Sequence, residues 1–132
     1  MKKIPSRILR KRLVSKNDSL FSLAVRLRAK KSFGGMCPFC HMLPVNCCFH
    51  FIHRGKFSVR WDFNNAIGAC FKCNFKMERW PESFITYYIN NNGLANWEKL
   101  VKKSNQIAKF SLEDLEQINK SLRAELEKGD TK

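Results

Sequence analysis

The stretch "CPFCHMLPVNCCFHFIHRGKFSVRWDFNNAIGACFKCN", Cys37–Asn74, decides the fold. It opens on one C-x2-C pair, Cys37 and Cys40, and closes on another, Cys70 and Cys73, with 29 residues between Cys40 and Cys70. Four thiolates in two such turns surround one Zn2+ as a tetrahedron. They leave no open coordination position, so the spacing predicts a structural zinc. The metal would clamp the intervening segment against a helix beginning after Cys73 and supply folding energy. A competing ligand set, Cys37, Cys40, His50 and His53, has inner spacings of nine and two residues. It would leave Cys70 and Cys73 without a role. Cys47 and Cys48 are neighbours that cannot easily bridge each other, and they read as packed thiols in a reducing compartment.

Between the pairs, "LPVNCCFHFIHRGKFSVRW" is rich in β-formers, with Arg54-Gly55-Lys56 near its middle. This predicts two short strands joined by a turn. Further on, Pro81 opens a helix that Gly93 stops, and "LANWEKLVKKS" forms a short amphipathic one. Ser111 and Asp114 then make a capping-box-like start. The apolar positions Leu112, Leu115, Ile118, Leu122 and Leu126 follow at spacings of 3, 3, 4 and 4. That stripe either packs on the domain or pairs with a second copy as a homodimer helix. Before the cysteines, residues 1–17 read as a mobile basic arm. A helix is expected from Asp18, its N-cap, with Leu20, Leu23, Ala24 and Leu27 on one face.

A chain of 132 residues with 44% hydrophobic content suits one domain with a modest core. No apolar run approaches the ~20 residues of a membrane span, and the basic start lacks the apolar stretch of a signal peptide. The net charge of +14 is lopsided. Residues 1–31 hold +10, residues 32–110 hold +6 and residues 111–132 hold −2. Such a field favours a polyanion, most simply nucleic acid, over a merely solvated surface or an anionic membrane.

A histidine on a strand, an asparagine in the next loop and an asparagine opening the next helix form a further constellation: His50, Asn65 and Asn74. This resembles the HNH nuclease site in its asparagine-ended form. From Phe33 to about Lys128 the chain resembles the phage NinG/Rap recombination-protein family. The features that carry this are "CPFC", His50-Phe51, Arg60 followed by an aromatic and Asp62, Asn65 five residues before Cys70, "CFKCN", and the tail "YYINNNGLANWEKL" with "KFSLEDLEQINKSLRAELEK". The resemblance implies an α+β fold. Its core would be a zinc-stabilised ββα-metal (treble-clef-like HNH) unit flanked by N- and C-terminal helices. Residues 1–32 would form a basic arm and helix, and residues 33–132 the nuclease domain. The implied function is a structure-selective endonuclease that cleaves branched recombination intermediates such as D-loops and Holliday-type junctions, in the cytoplasm of a bacterial host. His50 would be the general base, Asn65 would orient it through the backbone or ring, and Asn74 would ligate a catalytic Mg2+ or Mn2+.

The family pattern places an acid three residues before the histidine, and many HNH enzymes place one immediately before it. Here those positions are Cys47 and Phe49, and no acid lies between Cys40 and Asp62. Asp62, His53 or a DNA phosphate would have to replace it. Otherwise a non-catalytic, zinc-containing DNA-binding or recombination-mediator protein remains on the same scaffold. His41, directly after Cys40, reads as a turn residue. Arg54, Lys56, Arg60, Lys72, Lys76 and Arg79 surround the constellation and would hold phosphates. About six neutralised phosphates give a log–log salt slope near −5.

Overall fold

A computed structural model describes residues 3–130. The described chain is α+β, mostly helical, with one two-stranded sheet. No helix in it is long and apolar enough to cross a membrane.

Helix α1 runs over Ser6–Phe33. It starts directly after Pro5, whose carbonyl accepts hydrogen bonds from the amides of Ile8 and Leu9 at 3.0 and 3.1 Å. The arm expected to be mobile is therefore helical from Ser6, and Asp18 lies inside the helix rather than at its cap. Lys, Arg and Leu are good helix formers, and no glycine or proline interrupts them before Gly34. Gly34 and Gly35 then take φ of 62° and 83°, the left-handed conformation that lets the chain leave a helix cheaply.

The chain forms two compact units, one from residues up to Ala24 together with those from Lys109, the other Val25–Ala108. In the first, α6 (Leu112–Asp130) begins with a reciprocal capping box. The Ser111 amide donates to Asp114 Oδ2 at 2.9 Å, and the Asp114 amide donates to Ser111 Oγ at 3.0 Å. Leu115 and Leu122 of the apolar stripe are buried within this unit, as are Phe21 and Ala24. Two buried amides join them. Asn17 Nδ2 donates to the Leu115 carbonyl, and Asn119 Nδ2 donates to Asn17 Oδ1, each at 3.0 Å.

In the second unit, β1 (Cys47–His50) pairs antiparallel with β2 (Ala66–Ala69), and α3 (Phe71–Arg79) follows β2 at once. The register sets Cys48 opposite Gly68 and His50 opposite Ala66 on one face, with Phe49 opposite Ile67 on the other. The hairpin expected over residues 43–61 does not form. Phe57–Arg60 instead make a helical turn, α2, and a 3-10 turn at Phe63–Asn65 leads into β2. Tertiary contacts override the β-propensity here. The turn buries Val59 completely, and Ser58 Oγ donates to the Lys103 carbonyl at 2.7 Å.

Helices α4 (Pro81–Asn92) and α5 (Leu94–Ser104) complete this unit, with Pro81 in the first turn of α4 and Gly93, at φ 90°, ending it. Its core is an edge-to-face aromatic chain. Phe39 meets Tyr87 at 4.7 Å, Phe49 meets Phe51 at 5.3 Å, and Phe51 meets Tyr88 at 4.9 Å. Phe39 also meets Phe49 at 5.8 Å, which ties the first cysteine turn to the strand.

Gly68 marks a close approach. A Cβ there would lie 2.8 Å from both Ala29 Cβ and Val45 Cγ1. Neither is the tip of a flexible chain, so the backbone must give way. Gly68→Ala is expected to cost about 1–3 kcal/mol, read as a lowered urea midpoint at unchanged slope. A wild-type midpoint would show that the strand yields freely.

Candidate functional site

The structure brings Cys37, Cys40, Cys70 and Cys73 together, with all four sulfurs within 4.8 Å of one another. Cys40 Sγ and Cys70 Sγ are 3.9 Å apart. A tetrahedron with Zn–S bonds of about 2.3 Å has edges of about 3.8 Å, so the cluster fits with little movement. His50 and His53 are not part of it, which sets the competing ligand set aside. All six cysteines are free of disulfides.

Local sequence builds each half of the cluster. The first turn lets the Met42 amide donate to Cys40 Sγ at 3.5 Å, and His41 takes a φ of 59° to make this bend. In the second, Cys70 is the N-cap of α3 and its sulfur accepts from the Cys73 amide at 3.3 Å. Amides pointing at sulfur favour the thiolate. The Met42 amide, then that of Leu43, lowers the Cys40 thiol to about 6. Burial pushes Cys70 and Cys73 above the usual thiol range, and the neighbouring thiols push Cys73 further. Packing four sulfurs together opposes ionising them all unless a cation shares the site. The four cysteines can hold a structural metal such as zinc.

His50 lies at the end of β1, where its Nε2 is 3.1 Å from the Arg60 carbonyl oxygen. A carbonyl only accepts, so Nε2 carries the proton and the lone pair of the neutral ring is on Nδ1. Asn65 is fully buried, and its side chain bonds loop backbone. Its Oδ1 accepts from the Ile52 amide at 2.7 Å, and its Nδ2 donates to the carbonyls of Ile52 and Val59 at 2.9 and 3.0 Å. These three bonds close the loop between the strands. They fix Val59, the residue before the carbonyl that holds His50.

Asn74 lies in the first turns of α3, a helix that packs against β1. It is not the helix cap, because Cys70 has that role. Asp62 is already engaged. It caps the 3-10 turn by accepting from the Asn64 amide at 2.9 Å, and Lys103 Nζ of α5 meets its Oδ2 at 2.6 Å. The position directly before His50, Phe49, is 2% exposed and belongs to the core. His53 is exposed, and its Nδ1 accepts from the Gly55 amide at 3.0 Å.

Among the candidate phosphate contacts, Arg54, Lys56, Lys72, Lys76 and Arg79 are exposed. Arg60 is half-buried, donating to the Arg54 carbonyl at 3.1 Å and lying 4.8 Å from the Phe57 ring centre. Sequence reasoning missed the Arg60 carbonyl, since any residue offers one. It also missed Lys103, 41 residues from the carboxylate it pairs with. No family model matches the chain, and no curated protein or solved structure compared with it does either.

Proposed function

We propose that this protein is a metal-dependent DNA endonuclease acting on branched recombination intermediates. One observation carries the reading: Asn65 locks the loop between β1 and β2, and the adjacent Arg60 carbonyl holds His50 with its Nε2 proton fixed. A base so oriented takes a proton at Nδ1 from an attacking water. The strand–strand–helix order, with α3 capped by Cys70 and carrying Cys73 in its first turn, supports the same reading. Asn74 is the residue of α3 that would ligate a divalent ion such as Mg2+ or Mn2+. Bound there, the ion would polarise the scissile phosphate. The basic residues around the loop would hold the flanking phosphates. Two-fold branched substrates also suit a homodimer.

The test is cleavage of labelled three-way, four-way and linear DNA with Mg2+ or Mn2+, in wild type and His50→Ala. Junction cutting by wild type is expected. His50→Ala should be at least about 100-fold slower, the contribution of a positioned base, with junction affinity and zinc content unchanged. Equal rates in the two proteins would remove His50 from the chemistry.

A second reading is favoured by the Asp62–Lys103 pair and the buried Phe49, which leave the loop without an uncommitted acid for a hard cation. On that reading the chain is a zinc-containing DNA-binding or recombination-mediator protein. Tight junction binding with no cutting under either ion would establish it over the first.

A further inference from the structure

Helix α3 leaves its large rings in water. Phe71 is 67% exposed, Phe75 55% and Trp80, its C-cap, 51%. At 3.6 residues per turn, Cys73 and Met77 face inward to the core, while Phe71, Phe75 and Arg79 follow one another up the outer face. Lys72 and Lys76 form the adjoining row, and Glu78 stands on the far edge. The Arg79 guanidinium carbon is 5.4 Å from the Phe75 ring centre and 6.0 Å from that of Trp80. It links the two rings into one array. The helix is anchored from below, since Cys70 caps it and Cys73 projects from it into the four-sulfur cluster.

We propose that the outer face of α3 is a stacking platform for unpaired bases of a nucleic acid strand. This rests on the nucleic-acid reading of the charge and deepens it, naming single-stranded segments as what this face takes. Exposed rings offer π-faces to bases, and a neighbouring row of cations tracks the backbone. A duplex hides its base faces within the stack, so only unpaired nucleotides satisfy both. Charge argues against a second copy, which would set Lys72, Lys76 and Arg79 against the same three cations. The arms of a branched DNA meet where bases are most easily unstacked, which places this platform on the substrate class proposed above.

The test uses the full, zinc-loaded chain in buffer without added Mg2+ or Mn2+, with fluorescently labelled oligothymidine and a duplex of equal length. Phe71→Ala with Phe75→Ala is expected to weaken oligothymidine binding by at least about tenfold, while duplex affinity changes by less than about twofold. Lys72→Gln with Lys76→Gln should weaken both and lower the single-strand salt slope by about 1.4. Oligothymidine should quench tryptophan emission in wild type, and Trp80→Phe should remove most of that quenching. Zinc content and far-UV circular dichroism identify any variant that has not folded.

Unchanged oligothymidine binding by the folded ring variant would overturn the platform. So would an equal loss on duplex, or a wild-type dimer in sedimentation that the ring variant dissociates. Because no catalytic ion is added, a failure of cleavage leaves the binding result standing. Intact salt-sensitive junction binding with indifferent rings would remove the platform alone.

Discussion

Removing the metal from the four-cysteine centre, by a high-affinity chelator or by Cys73→Ser, is expected to unfold residues 25–108 rather than loosen them. The second unit has a short two-stranded sheet and a small aromatic core. Structural zinc contributes about 10–16 kcal/mol of apparent binding free energy. A whole domain retains only about 5–15 kcal/mol of net stability. The metal term is therefore as large as the balance it supports. The readouts are one zinc per chain by elemental analysis, loss of helical circular dichroism on chelation, and recovery when zinc is restored. Full native signal in the zinc-free chain would show that the thiols only pack.

The affinity for zinc should also fall as pH falls, because the ligands bind as thiolates. Cys40, lowered to about 6, is already ionised at neutral pH, whereas Cys70 and Cys73 are held protonated by burial. Each thiol that gives up its proton on binding adds a tenfold change per pH unit, and Cys70 and Cys73 make the change at least about a hundredfold. Competition with a chromophoric chelator at several pH values measures that slope.

Asn65→Ala is expected to be the most damaging single change away from the cysteines. The side chain is fully buried and makes three hydrogen bonds to loop backbone. Its removal leaves the Ile52 amide and the carbonyls of Ile52 and Val59 without this partner. Each unsatisfied buried group costs about 1–3 kcal/mol, so the total is about 3–5 kcal/mol after partial relaxation. Asn65→Asp separates shape from chemistry. It keeps the acceptor for the Ile52 amide but sets a carboxylate oxygen against two carbonyls, so it should be no milder. Urea unfolding of the zinc-loaded chain measures both. If Asn65→Asp matched wild type, the two donated bonds would contribute nothing.

The features legible in the sequence were those whose cause is local. Two C-x2-C turns announce their own geometry, and the four sulfurs meet as the spacing required. Pro81, Gly93 and the Ser111–Asp114 pair mark helix ends because proline, glycine and capping side chains act within one turn of themselves. The miss at α1 has the opposite cause. Residues 7–16 are competent helix formers without a clear apolar stripe, so periodicity had little to report. The strand partner was misassigned because Phe57–Arg60 resemble a strand in composition, while "AIGA" is short and small-sided. Those small residues suit the close approach of Ala29 and Val45 at Gly68, a contact from distant sequence. At the histidine site, Asn65 acts on loop backbone, but the carbonyl that meets His50 had no sequence signature.

The buried amides of Asn17 and Asn119 have a consequence of another kind. Leucine contacts between two helices tolerate sliding, since one apolar side chain replaces another at small cost. A hydrogen-bonded amide pair does not, because a shift of one turn strands both amides in an apolar setting. The pair works like a key cut for one notch. It adds little to how strongly α1 and α6 hold together and much to which of several near-equivalent alignments they adopt.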